Sequence, residues 1–324
     1  MTDAVPEDMS DLYQVIDASD WKAAGDEQLG TKKKKWLRDP RPIGLDHRWL
    51  FKYRQRPTTG DDWAERIVAA IADDLAIPHA AVELAVRDGE PKVISLDLTE
   101  EQNRGELVLG NDLLYERDPK YPRAKRTRRT TKYSLDAVIA VLQQDFIQRA
   151  TLVMAPREIT RALDVFIGYL LLDALVANQD RNHQNWGVLQ LRDPGKKRVA
   201  ELAPSFDHAS SLARGILDNE RTERLETHDV GYCVESYCHR ATSLFVTTAA
   251  AERRMTTFEA FEHAGRLRPP ARDAWIERLR QVGLDRLASR VAAVPDDRMS
   301  AVAKQFSNRM LECNRRKLLE TERA

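Results

Sequence analysis

Bulky apolar and polar residues alternate along His47–Tyr53 (HRWLFKY), which predicts a β-strand closed by Pro57 and Gly60. At Asp61 the period changes. Trp63, Ile67, Ala70, Ile71 and Leu75 recur three or four residues apart, so an amphipathic helix is expected, capped by Asp61 or Asp62 and stopped by Pro78. Ala81–Val86 and Pro91–Leu98 read as two further strands joined by a turn at Asp88-Gly89. Upstream, Gly30–Leu37 reads as a strand followed by a turn region around Pro40, Pro42 and Gly44. Residues 1–28 are polar and acidic with scattered apolar anchors and predict an arm or a short packed helix.

Beyond residue 98 the pattern shifts. Residues 99–134 are polar and predict mainly loop, after which helical periods dominate: Ser134–Gln148, Pro156–Ala177, Thr257–His263, Pro269–Val282 and Asp297–Leu318. A hairpin interrupts them, Trp186–Leu191 with Arg198–Leu202, turning at Asp193-Pro194-Gly195. The most apolar stretch, Val165–Ala177, is too short to span a bilayer and contains Asp173, so it reads as a buried helix. No internal repeat is visible. The order implies an α+β, bilobal fold: a small mixed lobe over residues 1–98 and a mostly helical lobe over 99–324.

Composition narrows the partners. The 324 residues are 42% hydrophobic, enough for a core, and Lys+Arg and Asp+Glu both total 51, so no global field draws the chain to nucleic acid or membrane. Three cysteines (Cys233, Cys238, Cys313) are too few for a disulfide framework. With an acidic, polar N-terminus lacking signal-peptide character, they point to a reduced, cytoplasmic protein. Cys233, Cys238 and His239 fit no common zinc spacing.

The informative chemistry lies in residues 170–190 (LLLDALVANQDRNHQNWGVLQ) and 201–211 (ELAPSFDHASS). An apolar helix runs into a polar loop carrying Asp180 and, five positions on, Asn185. A hairpin follows, then Asp207, 22 positions after Asn185. Phosphoryl transfer needs an aspartate to orient and deprotonate a hydroxyl, plus hard oxygen ligands for Mg²⁺. One turn can supply the base and a ligand, and an Asp beyond a hairpin the second ligand. An isolated Asp-x4-Asn carries almost no information; its setting between a buried helix and a hairpin gives it weight. Capping residues and a turn aspartate are the structural alternative. Upstream, Lys52 lies in the expected strand and Glu65 in the helix after it, the relation by which such enzymes hold a nucleotide's phosphates. Gly30-Thr31-Lys32-Lys33-Lys34 is the candidate phosphate loop, although a solvated basic loop explains it as well.

These residues resemble the HipA-like serine/threonine kinase family over residues 28–290, most specifically at ALVANQDRNHQNWGVL and LAPSFDHASSL. The resemblance implies a protein-kinase-like fold, Asp180 as catalytic base, and Asn185 and Asp207 as Mg²⁺ ligands. It further implies Lys52 as the ATP lysine, Glu65 as its partner, Gly30, Thr31 and Lys34 in the phosphate loop, and Ser95, Asp97 and Leu98 in the adenine-binding hinge. ATP and Mg²⁺ are the implied cofactors. The implied partners are a protein substrate with a serine or threonine acceptor and a regulatory, antitoxin-like protein. The sequence departs from the family pattern at Asn182, where His is usual and His183 comes one later, and at Ala76, where Gly is common.

Lys120–Lys132 holds seven basic residues in thirteen, flanked by Tyr121 and Tyr133, which could stack bases. It reads first as a solvated or substrate-docking loop; a nucleic-acid-binding protein ranks below the kinase reading. An ATP-binding pseudokinase and a kinase for a small-molecule or lipid hydroxyl remain open alternatives.

Overall fold

The computed structural model describes residues 13–26, 34–40, 48–54, 56, 58–99, 105–122, 130–149, 156–190, 198–248 and 251–320. A six-stranded sheet is built from β1 (Val15–Asp17), β2 (Lys22–Asp26), β3 (Lys34–Arg38), β4 (Arg48–Lys52), β5 (Val82–Arg87) and β6 (Glu90–Leu96), in the order β1-β5-β6-β4-β3-β2. All its pairs are antiparallel except β1–β5. Helix α1 (Asp61–Asp74) connects β4 to β5 and packs against β5 and β6. The alternation in β4 turns Trp49 and Phe51 into one apolar cluster with Trp21, Leu37, Ala85 and Ile94. Lys52 is buried at the strand's end.

The helical half opens with β7 (Glu106–Leu109), α2 (Gly110–Arg117), α3 (Leu135–Leu142) and the two-residue β8 (Ile147–Gln148). Then come α4 (Ala162–Val176), β9 (Gly187–Gln190) and β10 (Ala200–Leu202), the strands forming a sheet ordered β7-β9-β10-β8. Helices α5 (Asp218–Glu226) and α6 (Val234–His239) precede a hairpin of β11 (Thr242–Thr248) and β12 (Ala251–Thr256). Helices α7 (Thr257–Leu267), α8 (Pro269–Gln281), α9 (Leu284–Ala292) and α10 (Ala301–Glu320) close the chain. Every residue of α4 is buried, as expected of a helix apolar on all sides. Among the described residues no helix is long and apolar enough to cross a membrane.

Several sequence expectations need correction. Of the N-terminal segment 1–28, expected to be an arm or a short packed helix, residues 1–12, 27 and 28 lie outside the described residues, and the rest contributes edge strands β1 and β2. The helix expected over Ser134–Gln148 ends at Leu142, and Ile147–Gln148 instead pairs in parallel with Ala200–Glu201. The region 99–134, expected to be loop, contains β7 and α2; α5, α6, α9 and the β11–β12 hairpin were not anticipated, although α9 carries Leu284, Leu287, Ala288 and Val291 at helical spacing. The helix from Pro156 starts later, at Ala162. There Asp164 accepts the backbone N–H groups of Thr160 and Arg161 at 2.9 Å each, and is paired with Arg268.

The two halves share one core. Trp63, Ile67 and Ile71 of α1, with Leu75 just after it, belong to the same apolar cluster as Phe166 and Leu170 of α4 and Leu287 and Val291 of α9. Buried charge reinforces the seam. Asp62 pairs with Arg54 at 2.7 Å and with Arg298 at 3.3 Å, and Arg298 also donates to the Ala85 carbonyl at 2.9 Å. At the other end of α1, Asp74 pairs with Arg286 at 2.9 Å and Arg290 at 2.7 Å. Ala76, where the family commonly has Gly, sits at φ 53°, in the left-handed region that ends α1 and favours glycine.

Asp62→Ala removes the α1 carboxylate that pairs with Arg298 and leaves that guanidinium in the interior with Asp297 at 3.9 Å as its nearest remaining counter-charge among the described residues. It is expected to cost about 3–5 kcal/mol, read as a lowered urea midpoint.

Candidate active site

The loop carrying Asp180 is held from beneath by Asp173, the carboxylate in the last turn of α4. Asp173 accepts two bonds from Arg181, Nε and Nη2, at 2.8 Å each, and one from Asn178 Nδ2 at 2.8 Å. Arg181 also donates to the Asn185 carbonyl at 2.9 Å. Both ionic side chains are almost wholly excluded from water, 1% exposed for Arg181 and 4% for Asp173. Burial alone would lower the Arg181 pKa, but the Asp173 charge and hydrogen bonds outweigh it, and the guanidinium is held charged. Helix α4 ends at Ala177, φ 52°, so the chain leaves the helix axis before Asn178.

Above this pair the loop folds on itself. The Asn178 side chain accepts the Asp180 N–H at 3.1 Å, Asn182 Nδ2 donates to the Asp180 carboxylate at 3.1 Å, and Asn185 Nδ2 donates to the Asp180 carbonyl at 2.7 Å. Asn185 thus commits its nitrogen inward, and its carboxamide oxygen is the atom left to face a cation. Asn182, where the family commonly has His, is a partner of Asp180 itself. His183 turns away into the interior. Its Nδ1 bonds the Tyr121 hydroxyl at 2.7 Å, and burial pushes its pKa down to about 4. Tyr133 donates to the Arg181 carbonyl and receives Trp186 Nε1, both at 3.1 Å. Trp186 lies flat against Gly110, where any Cβ would sit 2.2 Å from the indole. Tyr121 and Tyr133 are therefore buried supports of the loop and are not available to stack on bases, which corrects one ground for the nucleic-acid reading. Most of the basic stretch beside them, residues 123–129, lies outside the described residues.

The hairpin β9–β10 returns the chain to the same end, with Leu202 opposite Val188. The segment after it lies along the loop: Gln179 N–H donates to the Ser210 carbonyl at 3.3 Å, and Leu212 N–H to the Val176 carbonyl at 2.9 Å. Asp207 has φ 58°, and Leu212 and Ala213 both have φ 51°. Left-handed backbone is thus concentrated in one short stretch of non-glycine residues. Just beyond Asp207, His208 bonds Ser205 Oγ at 2.7 Å. Burial, joined by the charges of Arg181, His79 and Lys52, keeps it neutral.

From the sheet side, Lys52 Nζ meets Glu65 Oε1 at 2.5 Å and Asp207 Oδ1 at 3.5 Å, while Lys34 Nζ lies 3.6 Å from Asp207 Oδ2. Burial alone would lower the Lys52 pKa, but Glu65 and Asp207 more than reverse this, so the ammonium persists. Glu65 is fully buried and its Oε2 has no hydrogen-bond partner among the described residues. The structure therefore brings Lys34, Lys52, Glu65 and Asp207 together, and sets Asp180 and Asn185 on the loop alongside the Asp207 segment. Gly30 and Thr31 lie outside the described residues. Ser95 is buried in β6 opposite Leu50 and Val82. The Asp97 carboxylate pairs with Arg48 and accepts Thr99 N–H at 2.9 Å. Leu98 joins Ala80, Leu189 and Ala203 in a small apolar cluster.

Sequence reading missed the Asp173–Arg181 pair, although a carboxylate inside the apolar stretch Val165–Ala177 was its visible sign. It also missed a cavity of about 440 Å³ beside Asp180, whose walls include Arg56, Thr59, Gln179, Ser210 and Arg214. That cavity joins segments far apart in sequence, so no local pattern could mark it.

A mixed sheet with the buried helix α1 behind it, and a helical half bearing a polar loop after a largely apolar buried helix, together define a kinase-like fold. The solved structure of the proinflammatory kinase CtkA from Helicobacter pylori shares it: TM-score 0.70 and 19% identity, covering 95% of this chain and 96% of that one. HipA from the Shewanella oneidensis MR-1 toxin–antitoxin system, solved with HipB and operator DNA, aligns at TM-score 0.43 and 12% identity, over 93% of this chain and 68% of that one. At that score it carries no argument about partners. No family model matches the sequence, and no curated protein matches it significantly.

The buried histidines set a pH dependence. His183 in the folded protein titrates near 4 against about 6.5 unfolded, so between those values the unfolded chain holds more protons and stability rises with pH. Urea midpoints should fall as pH drops from about 6.5 toward about 4. His183→Gln should flatten part of that slope, with His208 retaining the remainder. Asp173→Asn, which leaves Arg181 buried without its counter-charge, should cost about 3–5 kcal/mol and raise amide exchange through residues 178–185.

Proposed function

We propose that this chain is an ATP-dependent phosphotransferase that passes the γ-phosphoryl group to a serine or threonine hydroxyl of a protein. Residues 1–98 would cover the nucleotide and 99–324 carry the transfer. The observation that carries this reading is the buried Lys52 ammonium, gripped by Glu65 and facing Asp207. A lysine kept charged away from water, with its counter-charge behind it, is suited to a phosphate in front.

Asp180 orients the acceptor hydroxyl and takes its proton. The hydroxyl oxygen bonds to the γ-phosphorus, the bond from that phosphorus to the β–γ bridging oxygen breaks, and ADP leaves with the electron pair. Asn182 and Asn178 hold Asp180 in place through its carboxylate and its amide. Lys52 and Lys34 offset charge on the phosphates. Leu98 and its apolar neighbours would receive the adenine, and the Ser95–Leu98 segment would offer it those backbone groups not already used, the Asp97 carboxylate being engaged by Arg48 and Thr99 and the Asp97 N–H by the Arg48 carbonyl.

The donors present fit Mg²⁺. Among the described residues no cluster of three or more His, Cys, Asp or Glu side chains could hold a metal alone. Asn185 and Asp207 provide two oxygen donors, a partial set suited to an ion that takes its other ligands from phosphates and water. When bound, Mg²⁺ would neutralise charge on the phosphates.

Asp180→Asn should abolish transfer while leaving the circular dichroism spectrum and melting temperature close to wild type. Phosphoproteomic comparison of cells bearing wild type or this variant should reveal acceptor serines or threonines labelled only by the former. Full transfer by Asp180→Asn would refute the base assignment. Lys52→Met should lose ATP binding by at least tenfold in titration calorimetry, a factor consistent with losing a charge-assisted contact.

A further inference from the structure

The cavity beside Asp180 is the feature whose chemistry the transfer reaction does not yet use. At about 440 Å³ it falls within the range of ~300–1,000 Å³ typical of ligand pockets. The chain segment along its wall gives it a direction. Ser210 is bonded to Gln179, next to Asp180, while four residues on the Arg214 carbonyl accepts the Gly60 N–H at 2.9 Å. The segment therefore runs from the catalytic aspartate to the turn preceding α1, folded tightly by the left-handed Leu212 and Ala213.

Two arginines stand at the far end. Arg214 is fixed by Asp61, Nη1 to Oδ2 at 3.3 Å, and Asp61 is itself bound by the Thr59 hydroxyl. Arg56 is exposed, with its backbone tied into a turn: its carbonyl accepts the Thr59 N–H at 3.1 Å and the Thr59 hydroxyl at 2.9 Å. Asp61 offsets the charge of Arg214, so the positive charge at this end comes from Arg56. The Asp180 carboxylate at the near end would repel an anion. An acceptor suited to this cavity has a neutral hydroxyl at one end and an anionic group at the other.

Building on the phosphotransferase reading, we propose that the cavity is an acceptor-selecting subsite. It favours a serine or threonine with an acidic side chain beside it, the hydroxyl on Asp180 and the anion on Arg56, beside the Asp61-held Arg214. Arginine suits this role because its planar fork can grip a carboxylate or phosphate through two parallel N–H bonds.

The test is transfer of labelled phosphate from ATP to a positional-scanning library of serine peptides, with each flanking position set in turn to Asp, Ala or Lys. Wild type should favour Asp over Lys at one flanking position by about tenfold, the scale of a hydrogen-bonded charge pair. Arg56→Glu should invert that order, and Arg56→Lys should keep it in weakened form. Equal transfer to Asp, Ala and Lys peptides would overturn the subsite while leaving the phosphotransferase standing, as would an acid preference unchanged in Arg56→Glu. Absence of transfer to every peptide, including those carrying Asp, would overturn both.

Discussion

A carboxylate on a wholly buried helix holds an arginine that has almost no contact with water, and the geometry of the site follows from that pair. Asp173 and Arg181 cannot separate without leaving a charge in the interior, and each is bound to further loop atoms, Asn178 on one side and the Asn185 carbonyl on the other. Residues 178–185 are consequently stapled to α4 at both ends. Asp180 and Asn185 project from a loop whose freedom has been removed by electrostatics, not by regular secondary structure. The tyrosines, Trp186 and His183 fill the space behind it and keep water out.

The sheet half meets this platform through a second buried pair. Lys52 and Glu65 come from adjacent elements, β4 and α1, and Lys52 reaches Asp207 from across the molecule. Asp207 occupies a backbone conformation uncommon for a residue with a side chain. Its place is maintained by neighbours: Ser205 is bonded through its backbone to Pro78 and Ala80, and its hydroxyl meets His208. The segment after α1 and the segment around Asp207 are thereby joined, so the placement of one acidic group depends on where a helix in the other half ends.

Much of this was legible in the sequence. The alternation in HRWLFKY and the helical period after Asp61 placed Lys52 and Glu65 on neighbouring elements, and the spacing from Asp180 to Asn185 and Asp207 placed the polar residues around one hairpin. Periodicity worked there because these elements each bury one face against a large core. It failed for β1, β7, β8 and the β11–β12 hairpin, which are short and owe their existence to a partner strand distant in sequence. It failed also for the Arg56–Arg214 cavity, whose walls meet only once the fold has formed. Lys34 was assigned to a loop, yet it stands in β3 opposite Lys52.

Helix α1 is shared property. Its apolar side belongs to the same core as α4 and α9, and both of its ends are fastened by arginines from the C-terminal region, Arg298 at Asp62 and Arg286 with Arg290 at Asp74. A sheet whose covering helix is bound this way cannot melt alone. Loss of α1 would expose the helical core as well, so the chain has one folding transition to make, and damage to either half is felt as instability of the whole.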